Sequence, residues 1–183
     1  SVKIPIMIQD APNTSGVNMS VDLLVQLNRD FHNIAYVKVE APPTVPKIKE
    51  VIDRSGGNLK VFGGLNGIYY VEELESGAIG MMPACEFPDV CVKIFNHFTK
   101  QEFVKARQLF YKYLPFIRIG TLGKYAMAVH KEILKAGGVI ESSHVRNPNI
   151  PLTDEIKKYV YDTIDGLTLN AIDWKSNRGD RKA

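Results

Sequence analysis

Four short apolar runs, each followed by a stretch with helical spacing, constrain this chain more than any other feature. Residues 4–8, 34–39, 59–62 and 79–82 read as strands. Ser20 caps a helix whose apolar positions Leu23, Leu24 and Leu27 share one side. Ile48, Val51 and Ile52 mark a second helix, ended by Gly56-Gly57, and residues 68–74 and 87–98 predict two more. Strands separated by helices pair in parallel, because a parallel neighbour requires a long crossover. After residue 98 the period-two pattern stops. Residues 101–117 and 122–135 predict amphipathic helices, and Thr153-Asp154-Glu155 caps a last one through about Ile164. The expected organisation is an α/β region over 1–100, a helical region over 101–172 and a polar tail over 173–183.

Two architectures satisfy four βα units. One is an open doubly wound sheet. The other is half of a (β/α)8 barrel, which needs about 250 residues for eight units. No G-x-G-x-x-G follows a strand and no G-x-x-x-x-G-K-[ST] is present, so the chain has no phosphate-cradling loop of either kind. The net charge of +3 is spread thinly apart from a short basic run over 178–182, which does not make a nucleic-acid surface. Cys85 and Cys91 match neither a zinc pattern nor a disulfide framework, and His32, His97, His130 and His144 lack ligand spacing. No apolar run reaches the roughly 20 residues that span a bilayer, and no signal peptide is visible. A cytoplasmic protein without membrane or nucleic-acid partners is the expectation. Phe110, Tyr111, Tyr113 and Phe116 form a helix-spaced aromatic set expected to pack in a core or between subunits.

One strand carries a lysine. In the run Ile34 to Glu40, alternation puts Ala35, Val37 and Val39 on one face and Ile34, Tyr36, Lys38 and Glu40 on the other. In a barrel the second face points inward, and Lys38 stands near the C-terminal end of its strand, where barrel active sites lie. A desolvated lysine tends to shed its proton, and only the neutral amine attacks a ketone. The alternative is a solvent-facing lysine on an edge strand. Asp10 and Glu40 stand at strand ends. Gly63-Gly64 permits close backbone approach to a ligand or makes a plain turn, Asn66 is a candidate for hydroxyl recognition, and Met82 ends the fourth strand as pocket lining or packing.

Taken in order, Ile6-Met7-Ile8-Gln9-Asp10-Ala11-Pro12, Ser15-Gly16, Tyr36-Val37-Lys38-Val39-Glu40, Val61-Phe62-Gly63-Gly64 and Gly77-Ala78-Ile79-Gly80-Met81-Met82 form a series. It resembles the dihydrodipicolinate synthase / N-acetylneuraminate lyase superfamily from that family's fifth strand onward. The helix over 101–118 and the segment Arg146 to Thr153 resemble its C-terminal part, so the resemblance runs to about Asp165. It implies the second half of a (β/α)8 TIM barrel, four parallel βα units followed by C-terminal helices. It also implies that Lys38 forms a Schiff base with a 2-keto acid, without metal or cofactor. Gln9, Asp10, Gly63, Gly64, Asn66 and Met82 are the implied substrate-binding positions.

Two departures narrow the expectation. Gln9 stands where many members carry a tyrosine proton relay, and Thr14 where dihydrodipicolinate synthases carry an arginine for a substrate carboxylate. Glutamine neither gives nor takes a proton. The Gln-Asp-Ala-Pro form with Val-Lys-Val-Glu looks more like 2-keto-3-deoxy-sugar-acid dehydratases or aldolases. Dihydrodipicolinate synthase-type condensation of pyruvate with an aldehyde, or a catalytically silent ligand-binding relative, are the rival readings. The family's first four strands have no counterpart, and the chain enters an apolar strand within three residues. The expected partners are therefore a separate N-terminal half barrel or a second copy of the chain, giving a homo-oligomer joined at otherwise unpaired edges.

Overall fold

The computed structural model describes residues 2–174. They divide into two compact units, one ending at Met82 and one starting at Pro83. The basic run over 178–182 and the rest of the tail beyond residue 174 lie outside the described residues.

The first unit is built on three parallel strands in the order β1-β2-β3, β1 being Ile6–Asp10, β2 Ile34–Val39 and β3 Lys60–Gly63. β1 starts two residues later than expected because Pro5 has no N–H to give; the first rung is Ile6 N to the Asn33 carbonyl at 2.6 Å. The strand then runs on through Asp10, and the loop after it contains a single turn of helix, α1 (Pro12–Ser15), with its proline at the first helical position. β2 has the expected bounds. α2 (Val21–Asp30) and α3 (Thr44–Arg54) make the crossovers, and Ser20 Oγ accepts from Leu23 N at 3.2 Å as the N-cap of α2.

The expected fourth strand is reduced. Residues 79–82 run beside β3, with Ile79 N to the Val61 carbonyl at 2.9 Å, Gly63 N to the Gly80 carbonyl at 3.0 Å and Met82 N to the Gly63 carbonyl at 3.2 Å. The ladder amounts to one isolated parallel bridge, Gly63 to Met81. Gly80 offers no side chain to pack and Pro83 ends the donors, so the run is too short for a full strand. A 3-10 turn over Leu65–Gly67 and the short helix α4 (Tyr70–Glu75) connect β3 to it.

Alternation along β2 decides which side of the sheet is dry. Val37 and Val39 are fully buried against Leu24 of α2 and Ile48 and Val51 of α3, with Leu59 and Val61 completing the cluster. This is the face that excludes water and holds the helices. The other face carries Met7, Gln9, Tyr36, Lys38 and Phe62.

The second unit is helical: α5 (Pro88–Thr99), α6 (Phe103–Ile119), α7 (Ala126–Ala136) and α8 (Asp154–Ile164). Its boundary lies ahead of the position near 100 read from the sequence, because α5 packs on α6: Phe87 and Phe116 meet edge-on with centroids 5.1 Å apart. Of the aromatic set on α6, Phe110, Tyr113 and Phe116 are buried while Tyr111 is exposed, as a three-to-four residue period requires. Trp174, at the head of the expected tail, is also buried. Thr153 caps α8, its Oγ1 accepting from Ile156 N at 3.3 Å. Thr153→Ala should cost about 1 kcal/mol, read as a lower urea midpoint at unchanged slope; an unmoved midpoint would show that the cap adds nothing.

Candidate active site

β1, β2 and β3 bring three side chains into one row across the sheet: Gln9, Lys38 and Phe62 are register partners. Because partners in a parallel ladder face the same way, they lie on the side turned from the helices. Glu40, the residue after β2, joins them. Lys38 Nζ is 3.1 Å from Glu40 Oε1, with the lysine side chain 15% and the glutamate side chain 16% exposed. Gln9 donates from Nε2 to Glu40 Oε2 at 2.7 Å. Leu65 donates its backbone N–H to Glu40 Oε1 at 3.0 Å. One carboxylate thus ties together the candidate nucleophile, the residue at the tyrosine position and the turn after β3.

Burial alone would lift the Glu40 carboxyl. The bonds from Gln9, the Leu65 amide and Lys38 outweigh it, so the group sits below the ordinary value of 4.5. It is therefore an anion at neutral pH. Tyr36 and Phe62, with centroids 6.2 Å apart, line the same face behind Lys38.

The glycine pair earns its place sterically. A Cβ on Gly64 would overlap Glu40 Cγ and come within 2.8 Å of its Cδ. Gly64→Ala should therefore evict Glu40 and cost about 1–3 kcal/mol, as overpacking does; an unchanged Tm would show that Glu40 is free to move. Asn66 adopts a left-handed conformation (φ 56°) in the turn that follows. Such a conformation suits asparagine better than most residues. Met82 is half-exposed at the end of the reduced fourth strand.

Asp10 is placed differently from the others. It is fully buried, and Lys47 of α3 reaches its Oδ2 at 2.7 Å while also donating to the Met19 carbonyl at 2.6 Å. Its row is Asp10, Val39 and Gly63, on the helix side, so strand alternation turns it from Lys38. The sequence pairs Asp10 with Glu40 as strand-end carboxylates; the structure separates them by one residue of register and a whole sheet face.

Glu73 on α4 had no place in the sequence reading. It is fully buried, accepts from Thr44 Oγ1 at 2.7 Å, and occupies the space beside Gly63. Burial, opposed by the Thr44 bond and aided by Glu72 and Glu40, pushes its carboxyl up to about 7. The missed signal was an acid between Tyr70, Val71 and Leu74, all buried positions of a short helix.

Two of the histidines have carboxylate partners. His97 lies 2.6 Å from Glu102 and His130 2.5 Å from Glu86. A cavity of about 620 Å³ lies at the opposite, N-terminal ends of β2 and β3, with Arg29, His32 and Arg54 in its lining; Arg54 is engaged by Asp22 and Glu50. Among the described residues no group of three or more His, Cys, Asp or Glu is placed to hold a metal. Among them, too, no helix is long and apolar enough to cross a membrane.

Known proteins match this chain over most of its length. An L-2-keto-3-deoxyarabonate dehydratase of Azospirillum brasilense is 30% identical over 149 residues, 81% of this chain and 48% of that protein. A 4-hydroxy-tetrahydrodipicolinate synthase of Chlorobium limicola is 27% identical over 171 residues, 92% of this chain and 56% of that one. The chain thus spans about half the length of the relatives it matches. Among solved structures, a dihydrodipicolinate synthase of Rhodopseudomonas palustris superposes with a TM-score of 0.80 at 29% identity, covering 87% of this chain and 55% of that one. One from Aquifex aeolicus gives a TM-score of 0.83 at 22% identity over 92% and 57%, a likeness of fold. The model of the dihydrodipicolinate synthetase family matches residues 1–167. By that match, over nearly the whole described chain, the protein belongs to the dihydrodipicolinate synthetase family.

Proposed function

We propose that this chain carries the imine-forming part of a lyase acting on a 2-keto acid, and that the substrate is a 2-keto-3-deoxy sugar acid. The observation that carries the reading is the contact between Lys38 Nζ and Glu40 at 3.1 Å, on the open face of the sheet and near its C-terminal edge. The Lys38 amine attacks the substrate ketone and water leaves, giving a protonated imine. The cation draws electrons from the neighbouring carbon, so a proton there can be removed and an enamine formed. The enamine then expels the hydroxyl on the next carbon, and hydrolysis frees Lys38. The net change is loss of one water. Cleavage to pyruvate and an aldehyde runs through the same imine, with the carbon–carbon bond breaking instead.

Glu40 is the group proposed to serve the cation. As an anion it is a counter-charge for the protonated imine and can receive the proton that Nζ must lose. Gln9, which cannot move protons, fixes the Glu40 carboxylate by a hydrogen bond instead of acting as a relay. Gly63, Gly64 and Asn66 shape the adjoining turn, and Met82 borders it. The free edge of β1 and the open Lys38 face are proposed to be closed by further strands, from an N-terminal half barrel or a second copy, completing a (β/α)8 barrel.

Condensation of pyruvate with an aldehyde is the second reading, favoured by relatives named 4-hydroxy-tetrahydrodipicolinate synthase. The two are separated by incubating the complete protein with a 2-keto-3-deoxy pentonate, or with pyruvate and an aldehyde, and following products by mass. Loss of one water from the first supports the dehydratase reading. A condensation product supports the second. Imine formation without either product would identify a silent ligand-binding relative.

A further inference from the structure

Gly63 and Gly64 are closed from opposite sides by two acids. A Cβ on Gly63 would overlap Glu73 Oε2 and lie 2.7 Å from its Cδ, on the helix side. Glu40 fills the matching space at Gly64, on the Lys38 side. Neither position has room for a Cβ while its carboxylate stays where it is.

Glu73 is poorly served as an anion. Thr44 satisfies Oε1, but Oε2 is buried without a hydrogen-bond partner. A buried carboxylate with half its charge unmatched is costly, whereas the neutral acid is tolerated. The surroundings supply no compensation. Glu72 on the same helix and Glu40 across the glycines both disfavour its ionisation. On α3, Lys47 is engaged by Asp10, Lys49 by Asp53, and Arg54 by Asp22 and Glu50. On β3, Lys60 donates to the Gly57 carbonyl.

We propose that Glu73 is a proton-linked positioning residue for the site described above: as the neutral acid it lets the Gly63–Gly64 turn close and hold Glu40 through the Leu65 amide, and its ionisation drives that turn and Glu40 apart. Its meaning for catalysis rests on the proposed role of Glu40, but the turn itself is observable without turnover.

The sign of the pH dependence is fixed by the direction in which the group is displaced. A carboxyl raised from 4.5 to about 7 contributes full stability below 4.5, and that contribution is lost as pH rises towards 7. Glu40, displaced downward, has the opposite sign: its contribution is present above 4.5 and is lost as pH falls. A fall in stability as pH rises from 4.5 towards 7 therefore has the sign of Glu73 and not of Glu40.

The test uses the complete protein, its E73Q variant and T44V, over pH 5 to 8.5. The thermal midpoint and the amide exchange of residues 63–65 by mass spectrometry are followed together. In the parent, the midpoint is expected to fall through this range. Leu65 should exchange on the order of tenfold faster at the alkaline end, after correction for the intrinsic rate. E73Q should flatten both responses. T44V removes the bond that favours the ionised form, and should move both transitions to higher pH. The same pH dependence in E73Q as in the parent overturns the proposal; should E73Q not fold, an unmoved transition in T44V does so. Failure of the imine reading is separate, because it shows as the absence of a trapped adduct and leaves midpoint and exchange untouched.

Discussion

Lys38→Met is expected to lower kcat/KM by about 10⁴-fold or more while leaving the fold intact. Methionine matches the lysine stem in length and carries no amine, so no imine forms and no electron sink is available. The side chain is only 15% exposed and its stem lies on a face shared with Tyr36 and Phe62, so an apolar replacement is accommodated. Stability should change by about 1 kcal/mol at most, since Glu40 keeps its bonds to Gln9 and the Leu65 amide. Steady-state rates with melting curves separate the two effects. A variant retaining a tenth of the parent rate would remove Lys38 from the chemistry.

Glu40→Gln is expected to lower kcat by about 10²–10³-fold, with a smaller change in KM. The amide keeps the shape and can still accept from Leu65, but it supplies no counter-charge to the imine and takes no proton. Gln9 would then face an amide instead of an anion. Glu40→Asp should recover part of the rate, because it restores the charge at a shorter reach. Loss through KM alone would make Glu40 a substrate-binding group, and an unaffected rate would leave the Lys38–Glu40 contact a structural ion pair.

The parts of the molecule that were legible in the sequence are those where local pattern decides. β2 was readable to the residue because Val37 and Val39 alternate with Tyr36 and Lys38, and the same alternation set Lys38 on the open face. The caps Ser20 and Thr153 were readable because each hydroxyl serves an amide three residues ahead. What was not legible depended on partners distant in the chain. The reduced fourth strand is limited by Gly80 and Pro83 as neighbours of β3, while its apolar residues alone read as a full strand. Asp10 reads as a site residue by its place at a strand end. Only the position of Lys47, 37 residues away, shows it to be held in an ion pair on the other face. Glu73 had no place in the sequence reading, because its burial against Gly63 follows from how α4 packs on α3 and β3. Glu40 was in view but undervalued. Its three contacts come from β1, β2 and the turn after β3, a convergence that exists only once the sheet is assembled.

Borohydride reduction of the complete protein in the presence of pyruvate or a 2-keto-3-deoxy sugar acid, followed by peptide mapping, bears most directly on the central claim. An imine is reduced to a stable secondary amine, so the carbon skeleton of the keto acid should appear on the peptide that contains Lys38 and on no peptide of the Lys38→Met variant. Reduction that leaves that peptide unmodified, in protein that turns the keto acid over, would contradict it.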